Sequence, residues 1–397
     1  MKKIIYIFLF LGVSIRISDF NPKSLNTAKS KLEEILPITF QLGIGPEKLH
    51  AAADNWGFVR QSATWARGNS GIMDSLIMNL KMLGYFNNDN PRNDTFTNVN
   101  LQGFGSTTIR IKINQNLTNI SSSAYTGSKN FKNFLEIKKT NAAIPSIQLF
   151  FDDPDSLLGN NGALIYYRLV DFGNPEFANV GDVITESYTG HDSIYGTKFQ
   201  TYTWRNGPEN TTWISKHGRV VLTEVDSSKQ LCFRSVVRMS FTKLKTINPN
   251  LDALQAICGG QENIYYGLAY MQKFDAPFYT TAKASMTTNS TLSETVCHRP
   301  ANEFDGAKIS YGIFDINGFV ADKLTANQVP TIYPSPTVGG LDFMSVDDAF
   351  KRTFVAYNTT VPGQETFGII KQYEDTSKAF LDGFDSSENN LNFKTVP

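Results

Sequence analysis

Apolar and polar residues alternate with a period of two over much of the chain after Phe104, and this alternation most constrains the fold. In "STTIRIKI" three isoleucines alternate with Arg110 and Lys112, and similar stretches follow, separated by Asn, Gly, Asp and Pro. Successive side chains of a strand point to opposite faces, so this pattern is typical of an antiparallel sheet with one buried and one solvated face. It indicates about ten strands.

The clearest example is "HGRVVLTEVDSSKQLCFRSVVRMSF", from His217 to Phe241, in which two extended segments flank the polar turn Asp226–Lys229. This arrangement predicts a β-hairpin. Arg234 and Arg238 are expected to face solvent. The apolar residues of the second strand share the opposite, buried face: Leu231, Phe233, Val237, Met239 and Phe241.

Before the strands, the apolar residues recur at spacings of three and four, which is typical of amphipathic helices. The sequence predicts a helix over Leu25–Ile38 and a second over residues 49–63. Gly68 and Gly71 interrupt this pattern, so a further helix is expected over Ile72–Leu83.

The N-terminus has the features of a secretory signal peptide. Lys2 and Lys3 precede an apolar run, Ile4–Ile15, that is too short to span a bilayer as a helix. We expect export and cleavage near Ser18, which leaves a slightly acidic mature chain. A buried N-terminal strand is the alternative, because Arg16 lies where a processing site would be expected. No other stretch is apolar enough for a transmembrane helix.

The patterns together predict an α+β fold that is mainly antiparallel β. A sheet of about ten strands tends to curl or close, because exposed edges invite pairing with other chains. We therefore expect a curved sheet or partly closed barrel packed on N-terminal helices. Four regions are predicted: a leader (1–18), a helical segment with a polar loop at Phe86–Asn100 (19–100), a β-rich region with one late helix at Phe343–Tyr357 (101–381), and a polar tail (382–397).

The helical section "DNWGFVRQSATWARGNSGIMDSLIMNLKML", which leads into Asn- and Thr-rich strands, resembles exported surface lipoproteins of spirochaetes. The resemblance covers about half of the chain and implies a cell-surface or secreted protein. Cys232 is the first cysteine, so the chain departs from that group in lacking a cysteine after the leader to carry a lipid. The predicted layout is also similar, in architecture alone, to lipoprotein carriers that hold acyl chains in a half-barrel.

Short stretches with catalytic residue types all have ordinary structural explanations. "RGNSG" (Arg67–Gly71) lacks an accompanying base and acid, and a helix–helix turn capped by Asn69 or Ser70 explains it. His191–Asp192 is typical of a turn, and Cys297–His298 are neighbours that face opposite ways in an extended segment. The chain has four histidines, and the sequence predicts no catalytic, cofactor-binding or metal-ligating residue.

Acidic loops and strand aromatics are the remaining candidates. Loops at Asn87–Asp94, Phe151–Ser156 and Asp315–Gly318 offer oxygen ligands without the spacing of a calcium loop. Turn capping explains them, and a weak extracellular Ca²⁺ site is the alternative. The aromatic residues fit cross-strand packing better than a glycan- or protein-binding surface: Tyr166, Tyr167, Tyr202, Trp204, Trp213, Tyr265, Tyr266 and Tyr270.

We therefore expect an exported, non-enzymatic surface or binding protein. Its partner is expected to be an apolar ligand held between sheet and helices, or a glycan or protein at the cell surface. The formal net charge of zero gives no basic field for nucleic acid. The alternative is a secreted hydrolase with a carboxylate-based site, which needs two carboxylates facing across a cleft.

A disulfide between Cys258 and Cys297 is one testable expectation for the cysteines, and three unconnected, half-buried cysteines are the alternative. The turn at Phe274–Pro277 predicts a hairpin with Lys273 opposite Phe278, which brings both cysteines close together beyond the strand ends. In an oxidising compartment such a bond would stabilise the hairpin by roughly 3–4 kcal/mol. Peptide mapping without reduction should yield one linked peptide and a free Cys232. Three free thiols, or a bridge to Cys232, would contradict this pairing.

Overall fold

The structure is a computed structural model that describes residues 25–39, 55–87, 89–125, 127–154, 160–172, 182–192, 197–225, 230–247, 260–273, 279–287, 299–300, 381 and 383–384. The helices in this part of the chain are α1 (Leu25–Thr39), α2 (Asn55–Met82) and α3 (Phe241–Ile247). The strands are β1 (Arg92–Leu101), β2 (Gly105–Ile113), β3 (Leu117–Ser121), β4 (Ser128–Phe131), β5 (Asn133–Lys139), β6 (Ile147–Phe151), β7 (Gly162–Tyr166), β8 (Ile184–Asp192), β9 (Thr197–Arg205), β10 (His217–Val225), β11 (Gln230–Ser240), β12 (Asn263–Lys273), β13 (Tyr279–Thr287) and β14 (Arg299–Pro300).

Twelve of these strands form one antiparallel sheet, in the order β1-β2-β5-β6-β7-β8-β9-β10-β11-β12-β13-β14, and β3 pairs with β4 in a small second sheet. The prediction of a mainly antiparallel α+β fold is confirmed. The expected curved sheet or partly closed barrel is wrong: among the described strands, none joins β1 to β14, and the sheet stays open without strong curling. Apart from the insertion of β3 and β4 between β2 and β5, each strand of the large sheet pairs with the next strand along the chain.

The edge at β1 is covered by a helix. Helix α1 lies against β1, and the backbone N–H of Asn100 donates to Oε1 of Glu33 on that helix at 2.9 Å. This contact satisfies an edge donor that would otherwise be open to pairing with another chain. The open sheet thus protects this edge without closing into a barrel.

Strand β1 occupies most of the segment predicted to be a polar loop. Its register with β2 shifts between Phe96 and Val99, where Asn98 has a φ of 54°. The buried residues Phe96, Val99 and Leu101 are therefore not evenly spaced by two. A β-bulge inserts an extra residue, which hides the strand period in the sequence.

Helix α2 is continuous through Gly68 and Gly71, so the predicted break there is wrong. The helix lies across strands β7 to β12 on one face of the sheet, here called the inner face. A glycine inside a helix costs about 1 kcal/mol relative to alanine. Burial of Phe58, Trp65 and Leu76, each no more than 2% exposed, outweighs that cost.

The predicted hairpin at His217–Phe241 is confirmed by the pairing of β10 with β11. Val237 and Met239 lie in the inner core, as expected. Arg238 was expected in solvent but is only 6% exposed, because the opposite face, here called the outer face, is also covered. The side chains of Leu231, Phe233 and Arg234 lie outside the described part.

The outer face is covered by the β3–β4 hairpin (residues 117–131), a chain segment inserted between β2 and β5. Its apolar residues form a second core with outer-face residues of β5 to β8. That core contains Leu117, Ile120, Ala124, Tyr125 and Phe131 from the hairpin, and Phe134, Phe150, Ala163, Ile165 and Tyr188 from the sheet. The central strands are therefore buried on both faces, which sequence alternation alone does not predict.

The β12–β13 hairpin is also confirmed, with Lys273 opposite Tyr279, one residue away from the expected register. Cys258 and Cys297 lie outside the described residues, as do the predicted late helix at Phe343–Tyr357 and the leader. The disulfide and the region boundaries therefore stay predictions.

Two glycines provide a matched test of the inner packing. A methyl group at Gly218 in β10 would lie 2.0 Å from the Trp204 ring, whereas at Gly71 in α2 it would have no neighbour within 4 Å. We expect Gly218→Ala to destabilise the fold by about 3 kcal/mol through overpacking. We expect Gly71→Ala to stabilise it by about 0.5–1 kcal/mol through helix propensity. Urea unfolding measures both changes. A destabilising Gly71→Ala would show that the helix is broken there.

Candidate functional site

A row of polar side chains runs across the outer face, with one residue from each of β2, β5, β6, β8, β9 and β10, and it is interrupted by Ile165 on β7. The pairing registers place Glu136 beside Arg110 on one side and Gln148 on the other. They also place Thr203 between Glu186 and Arg219. We call this set the polar row: Arg110, Glu136, Gln148, Glu186, Thr203 and Arg219. Most of its members are buried, so they need partners from the protein itself.

At one end of the polar row, Glu136 and Gln148 bond to each other. Gln148 Nε2 donates to Glu136 Oε2 at 2.7 Å, and the Tyr167 hydroxyl donates to Gln148 Oε1 at 2.7 Å. Arg110 approaches the other carboxylate oxygen of Glu136 at 3.4 Å. Both ends of the Gln148 amide are therefore used, which fixes its orientation.

In the middle of the row, Glu186 anchors the β3–β4 hairpin to the sheet. Its Oε2 accepts hydrogen bonds from Ser122 Oγ at 2.6 Å and from the Ser123 backbone N–H at 2.7 Å. Its Oε1 accepts from Arg205 Nη2 at 3.1 Å. The Thr201 hydroxyl adds a 2.6 Å hydrogen bond to the Ala124 carbonyl. Both carboxylate oxygens of Glu186 are therefore used to join the hairpin to β8 and β9.

The far end of the outer face is cationic and buried. His217 and Arg219 of β10 are at most 1% exposed, and Arg238 lies directly opposite His217 on β11. The ring of Phe384 lies 5.3 Å from His217 and 5.8 Å from the Arg205 guanidinium. Phe384 and its neighbour Leu381 are buried, although composition predicts a polar tail from residue 382. This short helical stretch covers the cationic end.

A lysine and two tyrosines meet where the β3–β4 hairpin contacts β8. Lys129 Nζ lies 4.8 Å from the centre of the Tyr188 ring and 5.4 Å from that of Tyr125. The two rings meet edge to face, with their centres 5.3 Å apart. Burial lowers the pKa of Lys129, although the nearby charge of Asp152 opposes this change. We call Lys129, Tyr125, Tyr188 and Asp152 the lysine cluster.

Asp152 and its neighbour Asp153 follow β6 and have different environments. Burial raises the pKa of Asp152, against a hydrogen bond from the backbone of Lys132. Burial alone would also raise the pKa of Asp153, but hydrogen bonds from Lys132 and Asn133 outweigh it and lower the pKa. Lys132 Nζ lies 2.5 Å from Asp153 Oδ2.

The sequence candidates for catalysis are not brought together among the described residues. Ser70 lies inside α2 and is 3% exposed, so the predicted capped turn at Arg67–Gly71 is wrong. His191 lies in β8, where its backbone N–H donates to Asn161 Oδ1 at 3.0 Å, and does not form the turn that was expected. The residues Cys297–His298 lie outside the described part.

The described strand aromatics are buried in the two cores, as the packing interpretation predicts: Tyr166, Tyr202, Trp204 and Trp213 lie in the inner core, and Tyr167 and Tyr265 lie in the second core on the outer face. Six of the eight candidates, Tyr166, Tyr167, Tyr202, Trp204, Trp213 and Tyr265, are at most 3% exposed. The side chains of Tyr266 and Tyr270 lie outside the described part. Glu186, Arg205 and Lys129 are not predicted from local sequence, since the contacts that give them a role join residues far apart in the chain.

Comparisons with protein-family models, curated proteins and solved structures give no match. Within the described ranges, no group of three or more His, Cys, Asp or Glu side chains is placed to hold a metal ion. Across the same residues, no helix is both long enough and apolar enough to cross a membrane.

Two glutamates test the role of the outer-face anchor. In the Glu186–Arg205 pair the side chains are 8% and 15% exposed, whereas in the Glu224–Arg67 pair they are 37% and 51% exposed. We expect Glu186→Gln to cost about 3 kcal/mol, because it leaves Arg205 buried without its counter-charge. Glu224→Gln should cost no more than about 0.5 kcal/mol. Equal losses in urea unfolding would show that Glu186 is no anchor.

Proposed function

We propose that this chain is an exported, non-enzymatic surface or binding protein. The observation that carries the proposal is the bonding of the outer-face carboxylates. Glu186 accepts from Ser122, Ser123 and Arg205, and Glu136 accepts from Gln148. A catalytic acid or base must reach the substrate, whereas these groups hold strands and the β3–β4 hairpin together.

Asp171, next to this network, is also a carboxylate that is held by donors of the protein itself. Its Oδ2 accepts from Ser146 Oγ at 3.0 Å, and its Oδ1 lies 3.4 Å from Lys139 Nζ. Asp153 is likewise held by Lys132 and Asn133. Carboxylates tied to donors of neighbouring strands stabilise a framework, and they support a structural role for the charged residues of this face.

The inner packing argues against an apolar ligand directly beneath α2. The centre of the Trp65 ring system lies 4.9 Å from that of Phe58, 5.2 Å from that of Trp213 and 5.3 Å from that of Trp204. These rings fill the space that such a ligand would need. Displacing one of them from the core would lower the free energy of unfolding by about 3–5 kcal/mol, which is the cost of removing one large buried aromatic side chain. We therefore favour a glycan or protein partner at the exposed surface over an enclosed lipid.

A secreted hydrolase is the second candidate, and the opposite pKa shifts of Asp152 and Asp153 favour it. Carboxyl groups whose pKa values are pushed apart are a feature of acid–base sites. Against this, Asp153 is bound by Lys132 and Asn133. We expect no turnover of chromogenic glycosides or esters by the purified chain. Turnover that is lost in Asp152→Asn would establish the hydrolase.

The export proposal rests on the leader and on the resemblance to spirochaete surface lipoproteins. We expect that labelling of intact producing cells with a membrane-impermeant amine reagent tags the protein. Sequencing of the tagged material should give an N-terminus near Ser18. A cytosolic protein of the same cells serves as the control for leakage. Untagged protein that retains Met1 would contradict export.

A further inference from the structure

We propose that Lys129 is a site of covalent modification, at which the ε-amine condenses with aldehydes in preference to the other lysine of the same chain segment, Lys132. The proposal rests on the geometry of the lysine cluster and does not depend on the proposed function. Lys132 is three residues further along the chain and provides a natural comparison.

The two lysines have opposite surroundings. Lys129 is half-buried, and its amine faces Tyr125 from the β3–β4 hairpin, Tyr188 from β8 and Asp152 after β6. Lys132 is exposed, and its ammonium is bound by Asp153 at 2.5 Å. The tyrosine rings, which are at most 9% exposed, also limit the positions open to the Lys129 amine. A restricted amine loses less conformational entropy when it reacts.

Condensation requires the neutral amine, and the surroundings of Lys129 favour that form. Burial lowers the pKa of Lys129, with Asp152 acting in the opposite direction. The hydrogen bond to Asp153, together with its charge, raises the pKa of Lys132. Near neutral pH, a larger share of Lys129 is therefore unprotonated and nucleophilic. Burial of a lysine is a known way to activate its amine.

The reaction balances without any further reagent. The amine nitrogen attacks the aldehyde carbon, and the carbinolamine loses the aldehyde oxygen as water together with the two amine hydrogens, which leaves a C=N bond. On protonation this imine is again a cation. The rings of Tyr125 and Tyr188 stabilise a cation at this position, and so does the charge of Asp152, but they act on the ammonium of the unreacted lysine in the same way. The preference for Lys129 therefore comes from its burial and from the contrast with Lys132, whose ammonium is held by Asp153.

The test uses limiting, isotopically labelled formaldehyde with cyanoborohydride, which delivers hydride to the iminium and fixes it as a secondary amine. Peptide mapping of the full chain then ranks the lysines by rate. The larger neutral fraction favours Lys129, and its lower basicity offsets part of this gain, as it does for thiolates. We expect Lys129 to be labelled several times faster than Lys132. Equal or slower labelling of Lys129 overturns the proposal.

Two variants separate the local effects. Asp152→Asn removes the charge that opposes the activation of Lys129, so Lys129 labelling should rise further. Asp153→Asn releases Lys132, so Lys132 labelling should rise while Lys129 keeps its rate. In urea, where the fold is lost, both lysines should react at the same rate. A preference for Lys129 that persists in urea would mean that local sequence causes it, and would overturn the proposal.

Discussion

The structure depends on covering both faces of a wide, open antiparallel sheet. A sheet of this width buries its apolar residues only if other elements lie on it. On the inner face α2 does so through Phe58 and Trp65, which pack against Trp204 and Trp213. On the outer face the β3–β4 hairpin covers β5 to β8, and the stretch around Phe384 covers His217 and Arg205. The central strands are thus the middle layer of three.

Covering the outer face places charged residues in the interior, and this creates the main electrostatic constraint. An unpaired buried charge costs several kcal/mol, so each one must meet a partner. Glu186 meets Arg205 and the hairpin donors at Ser122 and Ser123, and Glu136 meets Gln148. These buried glutamates therefore connect the layers of the structure. This bonding is the observation that supports the proposed binding or surface role over acid–base chemistry.

Local pattern predicted the elements that depend on neighbouring residues. The β10–β11 and β12–β13 hairpins follow from strands on either side of a short turn, and α1 follows from apolar spacing. The predictions that were wrong concern elements whose form depends on tertiary packing. The bulge at Asn98 hides the period of β1, and the aromatic face of α2 carries the helix through Gly68 and Gly71. The barrel was expected because edges need protection, and α1 protects the β1 edge instead.

The sequence by itself determined most of the strands and helices and placed Val237 and Met239 of β11 on the inner face, because these properties repeat every two to four residues. Only the tertiary structure decided what lies on the outer face. Ser122 meets Glu186 across 64 positions in the chain, and Arg238 is buried by elements that its own strand does not encode. Lys129 and Lys132 are alike in sequence context, yet one lies between tyrosine rings and the other binds Asp153. Such differences arise when distant segments pack together, and local periodicity carries no record of them.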